Sequence, residues 1–345
     1  MNALYRGKKI LMISASFFGY EKEIRQKLES FGCEVDYFDE RPENDFLTKS
    51  LIRVNRKLLA PKNNAYYNNI IEKTKHRNYD FIFVIKGEVI SNVHIERLRQ
   101  AHKQAKFILY LWDALNYSPN SKVIKNSFDA VYTFDKSDAE QYGDMQFRPL
   151  FFIDEYRKSA ETKVIQDIDV LFIGTVHTDR FSVLKRIERQ LKEKNLNFYF
   201  YHYYPSKKLY YLKRLGDRDI RKYGKAELKY DKLSKEEITQ LFNRSRVIAD
   251  IERPKQNGLT MRTIEVFGAH KKLITTNESI KNYDLYNAEN MSIIDRHAPV
   301  IDPLFIYQEY VKPPEEVYEK YSLDDWLHEI FFGKKHSIHS MMRVK

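Results

Sequence analysis

The chain has 345 residues, 43% of them apolar, and a formal net charge of +11. That apolar content, with scarce Gly and Pro, argues against disorder or fibrous repeats, and the length predicts two domains of about 150 residues each. A single cysteine, Cys33, excludes an internal disulfide, and no Cys/His spacing fits a structural zinc site. The apolar run at residues 10–18 begins too late and ends too soon for a signal peptide or a membrane span, so a reducing cytoplasm is the expected compartment.

Residues 9–17 read as an apolar strand, followed by Gly19 and a helical pattern through Ile24, Leu28 and Phe31 that stops at Gly32. A second strand at 34–38 leads into a polar stretch with amphipathic segments at 46–59 and 66–75. Strands at 81–86, 107–112 and 130–134 then alternate with helices at 95–103 and 137–142. Alternation of this kind, with nearly continuous apolar strands, predicts a parallel sheet covered on both faces. The first half is therefore expected to be Rossmann-like α/β.

Pro149 and the polar run 154–167, which lacks strand character, read as a domain boundary. A second βα series starts at 170–173 with Gly174-Thr175 and a helix carrying Val183, Leu184, Ile187 and Leu191. Residues 198–201 form another strand. Ser234 and Glu237 make a capping box for the helix through Ile238, Leu241 and Phe242, which leads to the strand at 247–251. Weak strands are expected near Leu285 and Ile293-Ile294, and helices at 305–310 and 324–332, the latter ending at Gly333.

Residues 258–277 carry the most chemistry, reading in succession as glycine loop, helix start, amphipathic helix and buried strand. Gly258 allows close backbone approach, Thr260 can cap the helix, and the N–H groups of its first turn attract an anion. Arg262 adds a positive fork, and Glu265, one turn further in, can accept hydrogen bonds from the vicinal hydroxyls of a ribose. Between Tyr203 and Lys229 lie nine Lys/Arg and three Asp/Glu, a patch suited to anionic lipid or a phosphorylated substrate. Its aromatics come without a nucleic-acid motif, so nucleic acid is not an expected partner.

Two successive Rossmann-like domains with an Arg-x-x-Glu helix late in the second resemble the GT-B glycosyltransferases, and more closely their CgeB-like branch in bacterial polysaccharide gene clusters. The most specific segments are Asp169-Val170-Leu171-Phe172-Ile173-Gly174-Thr175, the stretch from Gly258 to Asn277, and Tyr321-Ser322-Leu323-Asp324-Asp325-Trp326-Leu327. Ile85-Lys86-Gly87-Glu88 and Leu109-Tyr110-Leu111-Trp112-Asp113 are similar to segments of the same branch. The resemblance implies two domains facing across a cleft: residues 1–157 binding an acceptor, a glycan or lipid-linked sugar, and 158–318 binding a nucleotide-sugar donor. It further implies a helix at 319–334 packing back toward the first domain, and a tail at 335–345. Carried onto this chain, Glu265 holds the donor ribose and Arg262 the diphosphate, with Gly258, Leu259, Thr260 and Thr263 lining the loop. UDP is the expected nucleotide.

Gly174, Thr175 and His177 follow the first strand of the second domain, so their loop is a candidate for the phosphates or the transferred sugar. Arg180 is a second phosphate candidate, and Gln256 and Asn257 are candidates for the base or the sugar. No Asp-x-Asp pair suitable for a divalent ion is apparent, so cations and a helix dipole are expected to stabilise the leaving diphosphate, with no metal and no cofactor. Asp113 and Glu88, each following a buried strand, are the candidate bases, and both can equally cap the next helix. Many retaining relatives carry a Glu where this chain has Asn257, which leaves the stereochemistry open. Two rival readings share the architecture: a nucleotide-sugar epimerase, which needs no acceptor, and a binding protein without catalysis.

Overall fold

Apolar runs that neither alternate nor break set up two sheets. The computed structural model describes residues 2–43, 60–176, 179–216, 221, 227–254 and 256–334. It divides the chain into two units, residues 1–149 with 323–345, and residues 150–322. The amphipathic segment expected at 46–59 lies outside the described residues.

In the first unit, β1 (Lys9–Ser14), β2 (Glu34–Asp39), β3 (Phe81–Ile85), β4 (Lys106–Leu111), β5 (Ala130–Thr133) and β6 (Gln146–Phe147) form one parallel sheet in the order β2-β1-β3-β4-β5-β6. Helices α1 (Tyr20–Ser30), α2 (Ala60–Thr74), α3 (Asn92–Ala101), α4 (Pro119–Ile124) and α5 (Lys136–Tyr142) connect them. Leu11, Ile82, Val84 and Leu109 of the strands bury against Tyr67, Ile70, Ile95 and Leu98 of α2 and α3. Their apolar area leaving water is the main stabilising term of this unit.

The second unit repeats the plan with β7 (Ile168–Thr175), β8 (Phe198–Tyr203), β9 (Leu228–Lys229), β10 (Ser245–Asp250), β11 (Lys272–Thr275) and β12 (Met291–Ile293), all parallel, in the order β12-β11-β10-β7-β8-β9. Its helices are α6 (Asp154–Glu161), α7 (Arg180–Glu193), α8 (Lys207–Gly216), α9 (Lys235–Arg244), α10 (Met261–Gly268), α11 (Pro303–Tyr307) and α12 (Glu315–Lys320). The capping box of α9 forms as the sequence predicts, with Glu237 N–H donating to Ser234 Oγ at 3.1 Å and Ser234 N–H to Glu237 Oε2 at 2.7 Å.

The run read as a domain boundary carries a helix, and one expected strand is not formed. The run from Asp154 is helical because it has a hidden apolar contact: Tyr156 is buried, its ring 5.6 Å from Phe242. Leu285 is buried in a loop and forms no strand, since burial alone satisfies it.

Phe152 N–H donates to Tyr321 O at 2.8 Å, so the two ends of the second unit lie side by side. Beyond it the chain enters α13 (Leu323–Phe332), which belongs to the first unit. Trp326 packs on Phe83 and Tyr110, and Phe331 on Phe81 and Phe83, so this last helix covers the sheet. The buried Arg148 fixes its polar side, with Nη1 3.3 Å from Glu329 and Nη2 3.5 Å from Asp325.

Candidate functional site

In the second unit the chain builds outward from β7 to β9 and then restarts at β10 on the other side of β7. Loops after β7 and β10 therefore part in opposite directions, and ligands of open parallel sheets bind at the carboxyl ends of strands beside such a switch. Arg180 fills this point. It is buried, donating from Nε to Ile251 O at 2.5 Å and from Nη1 to Thr175 O at 2.8 Å. Burial pulls its pKa down to about 10, with Asp250 opposing the shift. The structure thus makes Arg180 a staple between two strand ends, using donors the sequence reading assigns to phosphate. Gly174 permits it: a Cβ there would come within 2.8 Å of Phe172 and 3.3 Å of Arg180.

Helix α10 starts on the other side of the switch. Thr260 is its N-cap, accepting from Thr263 N–H at 3.1 Å, and its own hydroxyl donates to Asp250, the buried last residue of β10. Thr263 Oγ1 also donates to Asp250, at 2.8 Å, so Thr263 is buried support for the cap. Leu259 is buried and anchors the loop, while Gln256 Nε2 donates to Gly258 O at 3.2 Å and Asn257 is exposed at the edge.

Arg262 and Glu265 come together. Arg262 Nη1 lies 2.6 Å from Glu265 Oε2, and its guanidinium lies 5.2 Å from the Phe242 ring centre. The helix spacing of three residues makes this pair possible, and the aromatic face steadies the cation. His177 lies outside the described residues.

A charge network that sequence reasoning missed braces the same rim. Arg296 donates to Asp179 Oδ1 at 2.8 Å, to Glu252 Oε1 at 2.7 Å and to Glu252 O at 2.6 Å, and Thr276 Oγ1 donates to Glu252 Oε2 at 2.7 Å. It ties together residues that follow β7, β10, β11 and β12. No local spacing signals it, because the partners meet only when the sheet forms. Asp250 likewise carries no sequence signal beyond ending an apolar run.

In the first unit, the candidate bases meet at the carboxyl ends of β3 and β4. Lys86 Nζ lies 3.1 Å from Asp113 Oδ2 and 3.6 Å from Glu88 Oε2, and Arg41 Nε donates to Glu88 at 2.9 Å. Lys86 has φ 83°, a strained conformation for a residue with a side chain and typical of functional loops. Neither acid caps a helix: Ser91 is the N-cap of α3, and Ala114 precedes the short helical turn after β4. The Asp113 side chain is 46% exposed and that of Glu88 19%, so Asp113 is the more accessible of the two candidates. Beneath them Glu40 is fully buried, accepting from Val89 N–H at 2.7 Å, with its carboxyl pushed up to about 7, foremost by burial.

No family model matches the sequence, and no curated protein matches it either. Solved structures do. Anabaena Alr3699/HepE in complex with UDP and glucose is similar at TM-score 0.58 and 11% identity, covering 98% of this chain and 100% of that one. A glycosyltransferase from Rickettsia africae ESF-5 is similar at TM-score 0.57 and 15% identity, with the same coverage. At these identities the likeness concerns architecture alone. Two six-stranded parallel sheets with interleaved helices, matched over nearly the whole chain, give this protein the α/β GT-B fold.

Proposed function

We propose that this protein is a glycosyltransferase that moves a sugar from a UDP-sugar to a glycan or lipid-linked acceptor, in the cytoplasm, as part of bacterial surface polysaccharide synthesis. The CgeB-like branch is its proposed place among such enzymes. The observation that carries the reading is the convergence, at the switch between β7 and β10, of a capped helix start with Arg262 and Glu265 on that helix. Support also comes from HepE, whose structure holds UDP and glucose.

In this proposal Glu265 accepts the ribose hydroxyls, and Arg262 with the first-turn amides of α10 faces the diphosphate. The bond from the sugar's anomeric carbon to the diphosphate oxygen breaks while the acceptor oxygen bonds to that carbon. Charge then builds on the departing UDP, where a cation and helix dipole stabilise it. The acceptor's hydroxyl proton goes to a carboxylate base, for which Asp113 and Glu88 are the candidates. Glu252 is committed to Arg296 and Thr276, so it is assigned to the scaffold.

Calorimetry with UDP tests the site. Glu265→Ala and Arg262→Ala should each weaken binding by about tenfold or more, the loss of one charge-assisted contact. Unchanged affinity in both folded variants would remove the assignment. Incubation with a UDP-sugar alone separates the rival epimerase, which turns over its substrate without acceptor.

A further inference from the structure

Helix α8 is a two-faced element that the proposed chemistry does not use. Its inner side is seated in the second unit: Tyr210 is fully buried with Val176, Phe181, Tyr204 and Leu228, and Leu209 packs against the same cluster. Its outer side is apolar and open, with Tyr211 46%, Leu212 67% and Leu215 78% exposed. Lys208 is exposed on the same side, because positions three, four and seven apart share a helix face. Lys207 and Arg214 are exposed beside it, and residues 207–216 contain no Asp or Glu. Arg221 finishes the helix, donating from Nε to Arg214 O at 2.9 Å and from Nη2 to Leu215 O at 2.7 Å.

Leucines at the tip with cations around them match two layers at once, and only a bilayer surface offers both. Its acyl boundary takes apolar side chains, while its anionic headgroups take lysine and arginine, whose aliphatic stems let the charge stay at headgroup level. A polyanion would engage the cations and leave the leucines in water; a protein partner would bury the leucines and strip water from the cations. No helix among the described residues is long and apolar enough to cross a membrane. We propose that α8 docks the protein on an anionic lipid bilayer, with Tyr211, Leu212 and Leu215 entering the interface and Lys207, Lys208 and Arg214 meeting lipid phosphates. The helix is already folded on its own core, so docking carries no ordering cost for it. Val176 directly follows Thr175, which ties the docking surface to the loop after β7. The proposal stands independently of the transferase reading.

The test is flotation of the full chain with vesicles of phosphatidylglycerol and phosphatidylcholine in equal parts, beside vesicles of phosphatidylcholine alone. The protein should float with the mixed vesicles only, and less so in high salt. Leu212→Ser with Leu215→Ser, and separately Lys207→Glu with Lys208→Glu, should each lower partitioning by roughly tenfold or more. Urea midpoints equal to wild type show that these surface variants fold. Wild-type protein that fails to float overturns the proposal. So does binding indifferent to the leucine pair, which marks a polyanion site, or a dimer in light scattering that the serine variant abolishes without any vesicle binding.

Discussion

The indole of Trp326 meets the ring of Tyr110 edge-on, with centroids 4.7 Å apart and planes at 71°, and it is fully buried. Residues from the end of the chain thus complete a sheet built near its beginning. Trp326→Ala should cost about 3–5 kcal/mol, the usual loss for a truncated core aromatic. Urea denaturation would check it. A loss below about 1 kcal/mol would mean that the helix is an accessory to the first unit.

Gly268 sits where α10 touches Phe152: a Cβ at this position would lie 2.6 Å from the Cβ of Phe152. Tyr318 also donates to Gly268 O at 2.6 Å, so the helix end cannot slide aside freely. Gly268→Ala should therefore destabilise by about 1–3 kcal/mol, although alanine is the better helix former. Trimming Phe152 to alanine in the same chain should recover part of the loss. A double-mutant cycle with no coupling would sink the explanation.

Glu40 makes stability depend on pH. Its folded carboxyl titrates near 7 against an ordinary value of 4.5, with burial the main cause and the Val89 N–H opposing it. A raised carboxyl stabilises the fold fully below its unfolded pKa, and that contribution is lost as pH rises toward 7. By pH 8 the loss amounts to a few kcal/mol, because each tenfold difference in proton affinity between folded and unfolded chain is worth about 1.4 kcal/mol. Glu40→Gln cannot ionise, so its stability relative to wild type should climb between pH 5 and pH 8. Parallel stability curves for the two proteins across that window would refute the prediction.

Arg296 balances a buried carboxylate. Replacing it by alanine leaves Glu252 without its cation and should cost about 3 kcal/mol, the penalty of a broken buried pair. Adding Glu252→Gln should restore part of that stability, because the uncompensated charge is gone. Thermal melts of the single and double variants decide this. An equal loss in both would place the effect on Asp179 instead.

Much of this fold was legible because the signals were local. Continuous apolar runs announced β1, β3, β4, β7 and β10, and the Ser234 box and the Thr260 cap were readable from spacing alone. Other parts were not. Strands β6 and β9 pair over two residues each at the sheet edges, too short to carry a pattern. Helix α6 gave no helical signal in the run read as a domain boundary, because its apolar contact is a single tyrosine. At the candidate site, Arg262 and Glu265 could be picked out by helix spacing, whereas the Arg296 network could not, since its members come from separate loops. Arg180 shows the limit from the other side: spacing puts it soon after the first strand of the second domain, but whether its donors face solvent or carbonyls is decided by packing.

The chain leaves its first unit at Pro149, builds the whole second unit, and returns at Leu323. During synthesis the second unit is therefore a continuous stretch that can close as soon as it emerges. The first must wait with Phe83 and Tyr110 of its sheet short of their cover until Trp326 and Phe331 leave the ribosome. Domains usually mature in the order they are made. Here the half that is translated first becomes complete last, and a chain ending at Ser322 carries an intact second unit beside an unfinished first.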